Sequence, residues 1–446
     1  MNCKYDIFPK NIKKVFFCGI GGIGMCSLAL MLMKEYSVSG SDRAVSNITA
    51  RLEENGIRVF HEHRAENVSG ADAVVYTPAV AQDNPELEAA RRAGIPLYLR
   101  ADILGRIMER YRIRIGFSGS HGKSTSTAMA ASVFVRAGKD PTVVCGADMP
   151  EYNGTFRIGE GDAFIFEADE YKDAFLRFSP TTAVILNTEL DHTDYFPDIE
   201  ALCRSFSRFA EKAERVVYNA DSDAAALAAA KTDGLSYGIE RPAIYTAKNI
   251  GFDGMMPYAD IYRGGEKVSH VALSVPGLHN IYNALACTAA AEANGIAPEE
   301  AAYGISHFRG IDRRFQKTGM LNGSDVYIDY AHHPTEIKAT LSAALRCGKA
   351  VRAVFEPHTF SRTAALFDEF CRAFDGCTEV VFTDIYAARE TNTFGVSSEM
   401  LADATKNGRY IPDYAAAAEY LKKTVKSGEI VMIFGAGTIN KLAEML

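Results

Sequence analysis

The sequence predicts an α/β protein in three domains, the first and last Rossmann-like and the last doubly wound, with a middle domain built around a phosphate-loop-type turn. Three observations predict it. Short apolar runs such as KVFFC, FIFE and IVMIF recur along the chain, each followed by glycine or acid and separated by stretches with helical character. The two glycine-rich words GIGGIG and GSHGKS both follow such a run and open a helix. At 446 residues the chain exceeds one ordinary core, and boundaries are expected at 1–108, 109–315 and 316–446.

In the first part, KKVFFCG is a strand, the glycine turn follows, and MCSLALMLMKE is a helix leading to a second strand in YSVSGSD. IRVF, ADAVVYTP and PELEAARRAG repeat the alternation, and LRADILGRIMER closes the domain as a helix and hinge. Parallel strands need crossovers, so this order implies a parallel sheet. The second part starts with strand RIRIGFSG and helix KSTSTAMAASVFVRAG, with further strands in FIFEADE, TTAVILNTE and RVVYNAD. A hairpin-like DIYRGGEKVSHVALSV and the helices HNIYNALACTAAAEANG and PEEAAYGISHF complete it. After GIDRRFQKTG, the strands VYIDY, AVRAVFEP, EVVFTDIY and EIVMIFGAG alternate with helices.

Composition narrows the class. The chain is 48% hydrophobic and 23% charged, with no apolar run near the roughly 20 residues a membrane span needs. A net charge of −8 disfavours nucleic acid and anionic membrane as partners, so any anionic ligand must be held locally. The nine cysteines form no CxxC pair and their odd count argues against a secreted disulfide framework. The first residues, MNCKYDIFPKNIKKVFFCG, have no signal-peptide apolar core, and a cytoplasmic location is expected. Oligomeric state is not legible.

The chemistry gathers at strand ends. In Gly122-Lys123-Ser124 the helix start attracts phosphate oxygens, the lysine adds a cation and the hydroxyl is a ligand for Mg2+. The strict phosphate-loop motif fails, because Phe117 stands where its first glycine belongs. Gly19, Gly21 and Gly24 satisfy GxGxxG, and Asp42 ends the next strand at the spacing of a ribose-binding acid. NAD fits that pattern; so does any other pyrophosphate, including that of a UDP-sugar. Glu167, Asp169 and Glu170 end one apolar strand, and Asp191, His192 and Asp194 follow another, an arrangement suited to Mg2+ or to a catalytic base. His279, Asn280 and Asn283 begin a helix; Arg313 and Arg314 form a basic pair; Asp329, Tyr330, His332 and His333 end VYIDY; His358 and Arg362 follow AVRAVFEP. On pattern alone these residues equally fit solvated carboxylates, helix caps and a structural histidine. Neither the histidine nor the cysteine spacing suggests structural zinc.

In order, GIGGIGM, GSHGKSTST, EADE, NTELDHTDYF, HNIYNAL, GIDRRF, DYAHHPTE, EPHTFSR and GAGTIN resemble the Mur ligases over nearly the whole chain. The family's loop is a shortened GxxGK[ST]T, matched by Gly119-Ser120-His121-Gly122-Lys123-Ser124-Thr125, so Phe117 is no defect. The resemblance implies a first domain holding UDP, a central one binding ATP and Mg2+, and a last one that closes to supply amino-acid and further ATP contacts. It implies Gly19, Gly21, Gly22, Gly24 and Asp42 at the UDP-sugar, Gly119 to Thr125 with Asn283, Arg314 and Asp329 at ATP, and Ser124, Glu170 and His192 at the metal. Lys123, Glu170, His192, His332 and Arg362 are the expected catalytic residues, with Tyr330, His332, His358 and Arg362 near the amino acid and the muramate carboxylate.

The implied reaction joins L-alanine to UDP-N-acetylmuramate through an acyl phosphate. Two departures stand out: Thr359 replaces an arginine frequent in the family, and Ser124 a commoner threonine. Where some branches carry a carbamylated lysine, Arg204 and Lys212 flank the region, and none is expected here. The alternatives are a recycling ligase attaching a preformed peptide, an NAD-dependent oxidoreductase, and a noncatalytic nucleotide sensor.

Overall fold

The computed structural model describes residues 6–190 and 195–446, so the expected Asp191, His192 and Asp194 lie outside the described residues. The described residues form three sheets, and the chain divides into two compact units, Met1–Thr246 with Ala286–Gly304, and Ala247–Leu285 with Ile305–Leu446.

The first unit carries two sheets. In one, β1 (Lys14–Cys18), β2 (Ser37–Ser41), β3 (Arg58–Phe60), β4 (Ala73–Tyr76) and β5 (Leu97–Leu99) lie in the order β3-β2-β1-β4-β5, all parallel. KVFFC takes the centre because four of its five residues are buried, the continuous apolar run that a strand covered on both faces requires. The helices α1 (Ile23–Leu32), α2 (Asn47–Glu54), α3 (Pro85–Arg92) and α4 (Arg100–Met108) make the crossovers and the exit. Local chemistry sets their starts: Ser46 and Thr49 form a capping box on α2, and Asn84 caps α3 with Pro85 just inside.

The other sheet is built on β6 (Ile113–Ser118), followed by α5 (Lys123–Arg136), β7 (Thr142–Met149), β8 (Gly154–Arg157), β9 (Ala163–Glu167), β10 (Thr182–Ile185), β11 (Arg215–Asn219) and β12 (Leu235–Gly238). Its order within this unit is β12-β11-β10-β6-β9-β7-β8, parallel except for the β7–β8 hairpin. The start of β13 (Tyr245–Asp253) pairs with β12. The two sheets share a buried apolar core that runs from Leu28 and Leu32 to Phe166, Phe175 and Phe209. Arg177 to Asp102 at 2.6 Å and Arg51 to the Asn153 carbonyl at 2.8 Å tie them further.

In the second unit, β14 (Met256–Arg263) and β15 (Glu266–Ala272) form the expected hairpin, closed by Gly264-Gly265. The third sheet contains β16 (Gln316–Leu321), β17 (Ser324–Asp329), β18 (Val351–Phe355), β19 (Glu379–Phe382), β20 (Gly408–Tyr410) and β21 (Ile430–Phe434). Its order is β16-β17-β21-β18-β19-β20, with only β16 antiparallel. Phe355, Phe370, Phe374, Phe382 and Phe434 fill one face. No described helix is long and apolar enough to cross a membrane. The described cysteines are all free.

Candidate active site

Between β6 and α5 the chain turns through Gly119-Ser-His-Gly122. Gly122 stands at φ 82°, a left-handed conformation that glycine adopts without strain, and no side chain caps α5. Among the described residues no side chain accepts from the first-turn N–H groups of α5, which are the donor set that binds phosphate oxygens. The loop is stitched from the end of β10. Asn187 clasps His121, accepting from its N–H at 2.8 Å and donating to its carbonyl at 3.0 Å, and the Asn187 carbonyl accepts from Ser120 N at 3.2 Å. Ser120 Oγ donates to the Glu189 carbonyl at 2.8 Å and accepts from Glu189 N at 2.9 Å. A loop fixed in this way is ordered before any ligand arrives.

Lys123 folds over the loop. Its Nζ donates to the Gly119 carbonyl at 2.6 Å and to Glu170 Oε2 and Oε1 at 2.9 and 3.1 Å. Burial alone would lower the lysine pKa, but the charges of Glu170, Asp169 and Glu167 outweigh it and hold the ammonium well above its usual range. Beside this pair, Ser124 Oγ donates to Glu167 Oε2 at 2.8 Å, and the same oxygen accepts from Gly146 N at 2.7 Å. Lys123, Ser124 and Glu170 thus come together, with Glu167, one of the three acids read at this strand end, beside them. Thr125 occupies the first turn of α5.

The glycine word of the first sheet has its own order. Gly19 and Ile20 donate to the Ser41 carbonyl at 2.8 and 2.9 Å, and Gly22 precedes α1 with no side-chain cap. Asp42 is engaged by the loop itself: Oδ2 accepts from Gly21 N at 2.9 Å and Oδ1 from Ala44 N at 2.9 Å. Beneath the loop lies a hub that sequence reading missed. The fully buried Glu86 Oε2 receives Ser41 Oγ at 2.6 Å, His63 Nδ1 at 2.8 Å and the Cys18 thiol at 2.9 Å, while Asn67 donates to Oε1 at 2.7 Å. Burial and the neighbouring Glu86 push the Cys18 thiol far up, which keeps it protonated and unreactive. One carboxylate thereby fixes the ends of β1 and β2 and the loop after β3.

In the second unit the strand ends of the third sheet gather the other predicted residues. His332 Nδ1 lies 3.0 Å from the Tyr330 carbonyl and 3.6 Å from Glu336, whose other oxygen is 3.5 Å from Arg314. Arg313 and Arg314 cover the Tyr330 ring at 4.9 and 5.1 Å. The His332 and His358 rings are 5.6 Å apart, Arg362 Nη1 is 3.1 Å from His358 Nδ1, and Tyr386 stacks on His358. Asp329 is buried, with its oxygens accepting from Phe315 N at 2.8 Å and Ala331 N at 2.7 Å. Burial pushes its carboxyl up to about 6 against the opposing pull of Arg314 and those N–H groups. Asn283 donates to Asn280 Oδ1 at 2.9 Å, and burial, aided by Arg314, pulls His279 down to about 4. Thr359 takes φ 68°, which strains a β-branched residue at the start of the helix that carries Arg362.

Parallel sheets with ligand-directed residues at their strand ends, one bearing a lysine-containing phosphate loop, define an α/β nucleotide enzyme. Comparison with known proteins makes the assignment specific, and the chain belongs to the Mur ligase family. Residues 14–112 match the model of the Mur ligase family catalytic domain, 117–291 that of the Mur ligase middle domain and 313–437 that of the Mur ligase glutamate ligase domain. The chain is 42% identical over 452 residues to a UDP-N-acetylmuramate–L-alanine ligase of Acetivibrio thermocellus, covering 98% of this chain and 96% of that one. It is likewise 42% identical to one of Caldanaerobacter subterraneus, covering 98% of each. The crystal structure of a UDP-N-acetylmuramate-alanine ligase from Thermotoga maritima superposes with a TM-score of 0.82 at 28% identity, over 97% of both chains.

Proposed function

We propose that this enzyme joins L-alanine to the carboxylate of UDP-N-acetylmuramate, consuming ATP, in the synthesis of peptidoglycan precursors in the cytoplasm. The observation that carries the reading is the ordered phosphate loop, with Lys123 on Glu170 and Ser124 on Glu167, in a chain 42% identical end to end to ligases of that name. Residues 1–108 serve the UDP-sugar, 109–315 serve ATP and Mg2+, and 316–446 serve the amino acid and ATP. Gly19, Gly21, Gly22 and Gly24 receive the UDP moiety. Asp42 shapes their loop, its two oxygens accepting from Gly21 N and Ala44 N. Neither nucleic acid nor a stable membrane association belongs to this reading.

A carboxylate is a poor acyl donor until one oxygen is phosphorylated. The muramate carboxylate attacks the γ-phosphorus, ADP leaves, and the alanine amine then displaces phosphate from the acyl phosphate. Lys123 sits where charge accumulates on the transferred group, and the first-turn N–H groups of α5 hold the neighbouring phosphates. The all-oxygen donors Ser124, Glu167 and Glu170 fit a hard cation. Together with His192 they would hold Mg2+, which would supply neutralisation of phosphate charge. In the second unit, Tyr330, His332, His358 and Arg362 orient the amine and the carboxylates, and Asn283, Arg314 and Asp329 serve the nucleoside side. Keeping water from the acyl phosphate is the reason such a reaction needs closure.

Phosphate release tests the reading. With ATP and UDP-N-acetylmuramate, L-alanine should stimulate it, with weak competition from glycine or serine because one small group separates them by about 1–3 kcal/mol. Stimulation by a preformed tripeptide and not by alanine would make the enzyme a recycling ligase. ATP binding without turnover would make it a sensor.

A further inference from the structure

β18 and β21 lie side by side in the third sheet, and the chain leaves their carboxyl ends in opposite directions. After β18 it reaches the helix Phe367–Cys371 on one face, and after β21 the helix Asn440–Glu444 on the other. In an open parallel sheet that divergence, the switch point, is the crevice where a ligand enters and where backbone N–H groups meet anions. Here the crevice is filled from within. Glu356, the residue after β18, is 1% exposed; its Oε1 accepts from Ile439 N at 3.4 Å, with the N–H groups of Thr438 and Gly437 also acting on the carboxylate. Its Oε2 accepts from the Tyr414 hydroxyl, which lies 3.0 Å from Thr438 Oγ1. A methyl group added to Gly437 would lie 2.5 Å from Glu356 Oε1, so the turn closes directly on the carboxylate. Among the described residues no cation pairs with Glu356. Burial raises the carboxyl above its usual range, while Tyr414 and the turn N–H groups pull the other way. Burying a carboxylate without a cation costs stability that an apolar side chain would not, so filling space does not account for this residue.

The turn it holds, Gly435-Ala436-Gly437-Thr438, touches both sides of this unit's site. On one side, Arg313 Nη2 donates to the carbonyls of Gly435 and Gly437 at 2.7 and 3.2 Å, and the guanidinium covers Tyr330. On the other, the same added methyl would lie 2.5 Å from Tyr386 Cγ, and Tyr386 stacks on His358, whose Nδ1 is 3.1 Å from Arg362 Nη1.

We propose that Glu356 is a positioning residue that stands in the switch-point crevice as a built-in anion, fixing the Gly435–Thr438 turn and, through Tyr386, the His358–Arg362 pair that receives the amino acid. The role given to that pair rests on the proposed function. The carboxylate takes the place of a bound phosphate, so this glycine turn is a brace for the neighbouring side chains.

The test uses the full chain, with KM for L-alanine, UDP affinity by calorimetry and the proton resonances of the His358 ring, assigned with His358→Gln. Glu356→Ala should raise KM for L-alanine by about 10- to 100-fold, leave UDP affinity within about twofold and move the His358 resonances. Sodium formate, which fits the space left, should reverse much of both changes, whereas sodium chloride at equal ionic strength should not. Glu356→Gln, which keeps the size but sets an amide against the turn N–H groups, should resemble Glu356→Ala without formate and carries the same readouts if the alanine variant does not fold. Tyr414→Phe removes one donor and should raise KM for L-alanine by only about two- to fivefold. Unmoved His358 resonances in Glu356→Gln, or equal losses for UDP and L-alanine, would overturn the proposal, as would losses in a folded Glu356→Ala that formate does not relieve. A wild-type chain that does not ligate alanine would refute the proposed function; the His358 resonances, which need no turnover, would still decide whether Glu356 sets that ring.

Discussion

Replacing Lys123 with methionine keeps most of the side-chain packing and removes the charge, so the outcome is governed by the carboxylate left behind. Glu170 is 1% exposed and takes two contacts from Lys123 Nζ, at 2.9 and 3.1 Å. Removing one partner of a buried pair costs about 3–5 kcal/mol. For a domain of about 200 residues that is a fall of roughly 6–20 °C in unfolding temperature. With the lysine charge gone, burial favours the neutral, protonated form of the carboxyl group. A carboxyl raised in the folded state contributes stability at low pH and loses it as pH rises through the folded value. The variant should therefore approach wild type near pH 5 and fall furthest below it near pH 8. The wild-type lysine, held above its usual range, stays charged across that interval and adds no slope of its own. Adding Glu170→Gln should restore much of the stability at pH 8 and none of the ligation, which should fall by about a thousandfold or more with the charge that faces the transferred phosphoryl group. Scanning calorimetry at both pH values, with phosphate release on the same samples, makes the measurement. Unfolding temperatures equal to wild type at both pH values, or ligation above a hundredth of wild type, would refute the reasoning.

Other perturbations separate the parts of the molecule. Glu86→Leu strands the donors of Cys18, Ser41, His63 and Asn67, and should cost about 2–4 kcal/mol and raise KM for the nucleotide sugar more than KM for ATP; denaturant melts and steady-state kinetics report both. Gly146→Ala would set a methyl 2.5 Å from Glu167 Oε2 and break the bond from Gly146 N, so KM for ATP should rise roughly tenfold with UDP affinity unchanged. Asp329, raised to about 6 chiefly by burial, contributes stability that is complete below its unfolded value and lost as pH rises through about 6. Asp329→Asn should flatten the stability profile of the full chain between about pH 4 and 6, and a slope equal to wild type would remove the assignment.

The parallel sheets were legible because their central strands are long apolar runs ending in glycine or acid, as KVFFC and IVMIF are. The phosphate loop was legible because glycine, lysine and serine sit together at a helix start. Short strands were not: Gly154–Arg157, Leu235–Gly238 and Gly408–Tyr410 have three or four residues each and owe their state to the neighbour they pair with. The Asp42 spacing suggested a ribose contact, whereas its bonds to Gly21 N and Ala44 N follow from the loop's fold and not from spacing. Asn187 and Glu86 escaped for a similar reason. Each acts across 19 to 68 residues of sequence, on partners that only the fold brings near.

Isotope transfer tests the central claim most directly. With UDP-N-acetylmuramate labelled with 18O in its lactyl carboxylate, ATP and L-alanine, activation by phosphoryl transfer predicts one labelled oxygen in each inorganic phosphate released, matched one to one with ADP and the new amide. Unlabelled phosphate beside a labelled amide, or amide formed without ADP, would contradict it.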